Sequence, residues 1–257
     1  MKKLLASLRD LIQLLPLGRL HFITQLDSRP FKSFSSYGED ALINGVLKRF
    51  QFLTGKEFEF SYIDVGAFKP VKSSNTYFLY KEGLRGTAIE PNRRLERLWS
   101  GTRPKDIFRS VACGFEGNQQ LYFFGASAES NTLVKDFGEQ IKQHQKIDFQ
   151  TIQVGSEPLN LIVRNHKKSY SGDFLLDLDI EGLDYSVLQN FSFSQEMRPF
   201  LILVECLISE SEKTESIDSL LSGKNYVLVG KTVISSLYAD RENSFYRELL
   251  AAEYSTR

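Results

Sequence analysis

Four short apolar runs, each closing on a carboxylate, constrain this chain more than any other feature: "FSYIDVG", "GTAIEPN", "FLLDLDIEG" and "FLILVE". Near-continuous apolar character over so short a run marks strands buried on both faces, as in a parallel sheet. Between the first two lies "SSNTYFLYKEG", where Tyr77, Phe78 and Tyr80 fit a short helix and Gly83 its C-terminal cap. A strand, a helix and a strand in that order make a right-handed crossover unit. "IFRSVAC" (Ile107–Cys113) reads as a third strand, and "QQLYFFG" (Gln119–Gly125) and "DFQTIQV" (Asp148–Val154) as further ones. The polar stretch 126–147 between them reads as a helix or a mobile flap, and "YSVLQNF" as a helix. "NYVLVGKTVISSLYAD" (Asn225–Asp240) reads as a hairpin turning at Gly230–Lys231. The expected fold class is α/β, a mostly parallel doubly wound sheet with a C-terminal antiparallel hairpin.

The 257 residues suffice for one large α/β domain or two small ones. Basic and acidic residues balance at 32 each, which removes the electrostatic argument for nucleic-acid binding. Cys113 and Cys206 both lie in apolar runs and read as buried free thiols, which fits a reducing, cytoplasmic compartment. The N-terminus opens like a signal peptide, but Arg9 and Asp10 interrupt the apolar run and no small-residue cleavage site follows. It is also too broken to span a bilayer. Leu4, Leu5, Leu8, Leu11, Ile12 and Leu15 repeat at helical spacing up to Pro16. The expectation is a helix packed on the domain, with peripheral membrane contact through an interfacial helix as the alternative. Residues 1–34 thus form a helical extension, and 35–257 the main domain with an irregular insertion around 114–158.

In an open α/β sheet, ligands bind beyond the strand ends where strand order reverses. Asp64 and Gly66 close the first strand, and a glycine there lets backbone and ligand approach closely. Glu90 closes the next strand and can accept two charge-assisted hydrogen bonds from a ribose diol. Taken singly, Gly66 reads as an ordinary turn and Glu90 as a surface acid; together they read as a nucleoside site. A dinucleotide loop needs further glycines to seat its pyrophosphate on a helix N-terminus. This loop has one, followed by Ser73, Ser74, Asn75 and Thr76, a composition better suited to the phosphate-free cation S-adenosylmethionine.

The second constellation is "LLDLDIEGLD". Strand alternation sets Asp177, Asp179 and Glu181 on one face, where three buried like charges would be costly. Asp179 and Glu181 must therefore reach the open end of the sheet, where Glu205 ends the neighbouring strand. Such carboxylates can act as general base, hold a sugar, or bind a divalent metal through Asp179, Glu181 and Glu205; local salt bridges are the structural alternative. Asp177 reads as structural. In "FSSYGEDALINGVLKRF" a helix begins near Glu39 and Asp40; capping explains Asp40, while Tyr37 and Glu39 can form a lid. His144 stands as a reserve base, and His166 reads as solvated.

Taken together, "SSYGEDALI", "YIDVGAFKPVKSSNTYFLYKEG", "GTAIEPN", "RSVACG", "SNTL", "LDIEGLDYSVL" and "RPFLILVE" resemble the FkbM-type family of S-adenosylmethionine-dependent methyltransferases. The resemblance runs from about Ser35 to Glu205 and departs from the family pattern at Ser36 and Asp177. It implies a Rossmann-like class I methyltransferase fold and methyl transfer to a hydroxyl of a sugar, glycan or related natural product. It further implies that Asp64, Gly66 and Ala67 meet the cofactor's methionine end and Glu90 its ribose. Asn92, Val111 and Ala112 would lie near the adenine, with Tyr37, Glu39 and Asn75 lining the pocket. Asp179 and Glu181 would be the catalytic acids. Two alternatives stay open: a nicotinamide-dependent sugar-modifying enzyme, and a non-catalytic binding module that retains the fold.

Overall fold

A computed structural model describes residues 31–206 and 211–255. The N-terminal helix expected before residue 31 lies outside the described residues. The strands are β1 (Ser61–Val65), β2 (Gly86–Ile89), β3 (Ile107–Arg109), β4 (Ala112–Cys113), β5 (Gly117–Phe123), β6 (Gln150–Glu157), β7 (Phe174–Leu178), β8 (Leu201–Glu205), β9 (Tyr226–Lys231) and β10 (Ser235–Asp240). The α-helices are α1 (Glu39–Thr54), α2 (Tyr77–Lys81), α3 (Glu96–Thr102), α4 (Lys135–Gln145), α5 (Leu159–Ser169), α6 (Asp184–Gln189), α7 (Ser211–Ser222) and α8 (Ser244–Ser255).

The apolar runs assemble into a seven-stranded sheet of order β3-β2-β1-β7-β8-β10-β9. The first five of these are parallel, and β10 runs antiparallel to both of its neighbours. This is the α/β architecture expected of the sequence. Alternation along each strand feeds two cores. Ile63, Val65, Leu176, Leu178, Ile202 and Val204 pack with Ile162 and Val163 of α5, Leu188 of α6 and Ile217 of α7. Tyr62, Leu175, Leu201, Leu203 and Leu237 pack on the other face with Ile43 and Phe50 of α1, Leu79 of α2 and Phe245 of α8. Covering both faces explains why β1 and β7 are buried at every position.

Three local expectations are corrected. The run Ile107–Cys113 is not one strand: the Val111 N–H donates to the Arg109 carbonyl (3.0 Å), turning the chain so that β4 joins a second, three-stranded sheet of order β4-β6-β5. The hairpin does not turn at Gly230–Lys231, because both lie within β9 and the turn falls at 232–234. Gly230 is instead where α1 crosses the hairpin, since a Cβ there would meet Leu42 Cδ1 at 2.5 Å. His166 is not solvated: it is 1% exposed, with Nε2 bonded to Ser61 Oγ (2.8 Å) and Nδ1 to Thr87 Oγ1 (2.9 Å). Burial pushes its pKa down to about 4, so it is a neutral core imidazole. Helices α3, α5, α7 and α8 had no counterpart in the sequence expectations. Among the described residues, no helix is long and apolar enough to cross a membrane.

Candidate active site

The chain builds β2 and β3 to one side of β1 and then crosses to β7 on the other, so strand order reverses between β1 and β7. A ligand crevice is expected above that seam. Its floor is made by the two strand ends. The Asp179 N–H donates to the Val65 carbonyl (3.0 Å), while the N–H groups of Gly66 and Ala67 both donate to Ile89 (3.0 and 3.1 Å). Gly66 has φ +84°, and a Cβ there would overlap the Asp179 carbonyl oxygen. The glycine thus makes room for the neighbouring strand's backbone, which refines the expectation that it makes room for a ligand.

Below this floor two carboxylates lie side by side, since Asp64 and Asp177 are register partners. Consecutive residues of the "SSNT" stretch hold them: the Thr76 hydroxyl donates to Asp64 Oδ2 and Asn75 Nδ2 to Asp177 Oδ1 (3.2 Å). Burial lifts the pKa of both. Arg103 and the Thr76 hydroxyl offset part of the lift at Asp64, whereas Asp64 and Asp179 add to it at Asp177. Asp177 is thereby held well above the usual carboxylate range.

Above the floor opens a cleft of about 290 Å³. Tyr37, Glu39, Gly66, Asn75, Glu90, Asp179, Glu181 and Glu205 all line it, although they come from five separate stretches of sequence. Glu90 is 6% exposed, and its carboxylate accepts from the N–H groups of Phe68 (3.0 Å) and Asn92 (2.7 Å). Burial outweighs these bonds and pushes its pKa up to about 7. Glu39 is buried at the start of α1; it accepts from the Tyr37 N–H (2.9 Å) and the Thr232 hydroxyl (2.7 Å), tying that helix to the β9–β10 turn. Asp40 beside it is a structural knot, accepting from Ser33 Oγ, Phe34 N and Ser35 Oγ. Asp184 closes the "DIEGLD" turn by accepting from the Ile180 N–H (3.1 Å).

The other expected site residues stand behind the cleft wall. Asp64 is beneath the floor. Ala67 packs against Ala88, Leu95 and Trp99, and Val111 joins the main core. Ala112 lies in β4. The Asn92 side chain is committed to the Arg94 N–H (3.2 Å) and the Ala126 carbonyl (3.2 Å). His144 is exposed on α4 and does not line the cleft. Among the described residues no group of three His, Cys, Asp or Glu side chains is arranged to hold a metal ion, so Asp179, Glu181 and Glu205 share a cleft without forming a metal cage.

Several lining residues had escaped the sequence reading, Phe68 and Glu129 among them, whereas Ser73 belongs to the expected polar loop. The Ser73 hydroxyl donates to Glu129 (3.1 Å) and joins two lips of the cleft. Asn131 holds the second lip through Phe124 N, Gly125 O and Ala128 O. Phe68 (φ 40°), Ser73 (φ 58°) and Glu181 (φ 51°) adopt left-handed backbone, which non-glycine residues keep only where the surroundings enforce it. Their clustering on one cleft is itself a mark of a functional site. The family model described as methyltransferase FkbM domain matches residues 64–228, a span that takes in Glu90, Asp179, Glu181 and Glu205 but leaves Tyr37 and Glu39 outside. No curated protein and no solved structure matches the chain.

Proposed function

The chain belongs to the FkbM methyltransferase family, and on that premise we propose that it transfers a methyl group from S-adenosylmethionine to a hydroxyl of a neutral sugar, glycan or related polyol. One observation carries the reading: the ends of β1, β2, β7 and β8 deliver Gly66, Glu90, Asp179 and Glu205 to a single cleft beside the switch point. Its charge supports the same donor. Among the described lining residues six are carboxylates (Glu39, Glu90, Glu129, Asp179, Glu181, Glu205) and none is Lys, Arg or His. Such a wall favours a sulfonium cation and opposes a pyrophosphate, which speaks against a nicotinamide dinucleotide.

S-adenosylmethionine supplies an electrophilic methyl on a positive sulfur and leaves as the neutral thioether S-adenosylhomocysteine. Glu90 holds the ribose diol through carboxylate lone pairs left over from its two backbone bonds. Asp179 takes the proton of the attacking hydroxyl as the oxygen–carbon bond forms, and Glu181 orients the acceptor. The acidic wall also repels anionic acceptors. With a radiolabelled methyl donor, neutral glycosides should take up label at least about tenfold faster than uronate or phosphorylated analogues. Preferred labelling of the anionic set would contradict the proposed acceptor class.

A further inference from the structure

Two side chains that do not line the cleft grip the loop that does. Trp99 in α3 and Arg103 at its C-terminal cap lie one turn apart, both 1% exposed. The Trp99 indole N–H donates to the Phe68 carbonyl (2.8 Å). The Arg103 guanidinium lies over the Trp99 ring, 4.4 Å from its centroid. Its Nε donates to Asp106 (2.6 Å), its Nη2 to the Tyr62 hydroxyl (2.9 Å), and its Nη1 to Thr76 Oγ1 (3.1 Å), with Ser74 Oγ at 3.4 Å.

The loop is thus held near both ends, at Phe68 and at Ser74–Thr76. Between those anchors lies left-handed Ser73; Phe68 itself is left-handed. One anchor leads to the cleft wall and the other to the carboxylate pair beneath its floor. The Phe68 N–H donates to Glu90, and the Thr76 hydroxyl donates to Asp64. We infer that Arg103 and Trp99 are positioning residues: a buried clamp that sets the shape of the 66–76 loop and thereby the cofactor half of the cleft. The inference rests on the reading that this cleft binds S-adenosylmethionine.

The test uses the full chain with two variants. Trp99→Phe keeps an aromatic ring and removes the N–H donor; Arg103→Lys keeps the charge and removes the fork of donors. In the ligand-free protein, amide hydrogen exchange across 68–76 should quicken by about tenfold or more in each variant, while exchange in β7 and β8 stays as in the wild type. S-adenosylhomocysteine should bind each variant at least about tenfold more weakly, and methyl transfer should show the loss in KM for the donor, with kcat at saturation changed by less than about threefold. Loop exchange unchanged in Trp99→Phe overturns the clamp, and so does quickened exchange with unaltered affinity. Should Arg103→Lys fail to fold, Trp99→Phe decides alone. Should the wild type fail to bind S-adenosylhomocysteine, the cofactor reading falls, and the exchange result still decides whether the clamp shapes the loop.

Discussion

Gly66→Ala is expected to destabilise the protein by on the order of 3–5 kcal/mol, read as a fall of about 10 °C or more in the thermal midpoint. Two effects add. The residue has φ +84°, where an alanine is disfavoured by about 1–2 kcal/mol. The new methyl group would also overlap the Asp179 carbonyl oxygen, which is backbone and cannot rotate away. Relief requires the end of β7 to move from β1, breaking the Asp179 N–H to Val65 bond. Gly172 separates the two effects. It has φ +91° with open space at its Cβ position, so Gly172→Ala should lose only the conformational part, about 1–2 kcal/mol. A Gly66→Ala protein as stable as Gly172→Ala would mean that the contact with Asp179 is not the constraint described.

Asp179→Asn is expected to lower methyl transfer by about 10²–10⁴-fold, the usual contribution of a general base. The backbone of Asp179 is what braces Gly66, and asparagine keeps that backbone and nearly the same shape. Affinity for S-adenosylhomocysteine should therefore stay within about threefold, because the loss falls on kcat alone. Undiminished turnover in Asp179→Asn would move the proton acceptor to Glu181, which lies on the same cleft.

The strands that carry the site were legible because a parallel strand buried on both faces leaves a near-continuous apolar run, and a carboxylate at its end stands out. Glu90, Asp179 and Glu205 were found that way. What remained hidden depends on contacts far apart in sequence. The pairing of Asp64 with Asp177 is a matter of register between β1 and β7, and the grip of Arg103 on Thr76 spans a whole crossover unit. Gly66 was recognised, but only the three-dimensional neighbour shows which atom claims its space. His166 was misjudged although its signal was present. Leu159, Ile162, Val163 and His166 repeat at helical spacing, and all four are buried on one face of α5. The break at Ser110–Val111 was hidden because both halves of the run are apolar strand formers, and only the turn between them sends each half to a different sheet.

The central claim, that this cleft receives S-adenosylmethionine, is tested most directly by titration calorimetry with S-adenosylhomocysteine. On the proposed reading Glu90 would anchor the ribose in its ionised form, and burial pushes its pKa up to about 7. Binding therefore favours loss of the Glu90 proton, and affinity must fall as pH drops below that value. The predicted result is a Kd on the order of micromolar at about pH 8, weakening roughly tenfold by about pH 6, with the pH dependence lost in Glu90→Gln. Absence of binding to folded protein at several hundred micromolar ligand, or on the order of that level, would contradict the account.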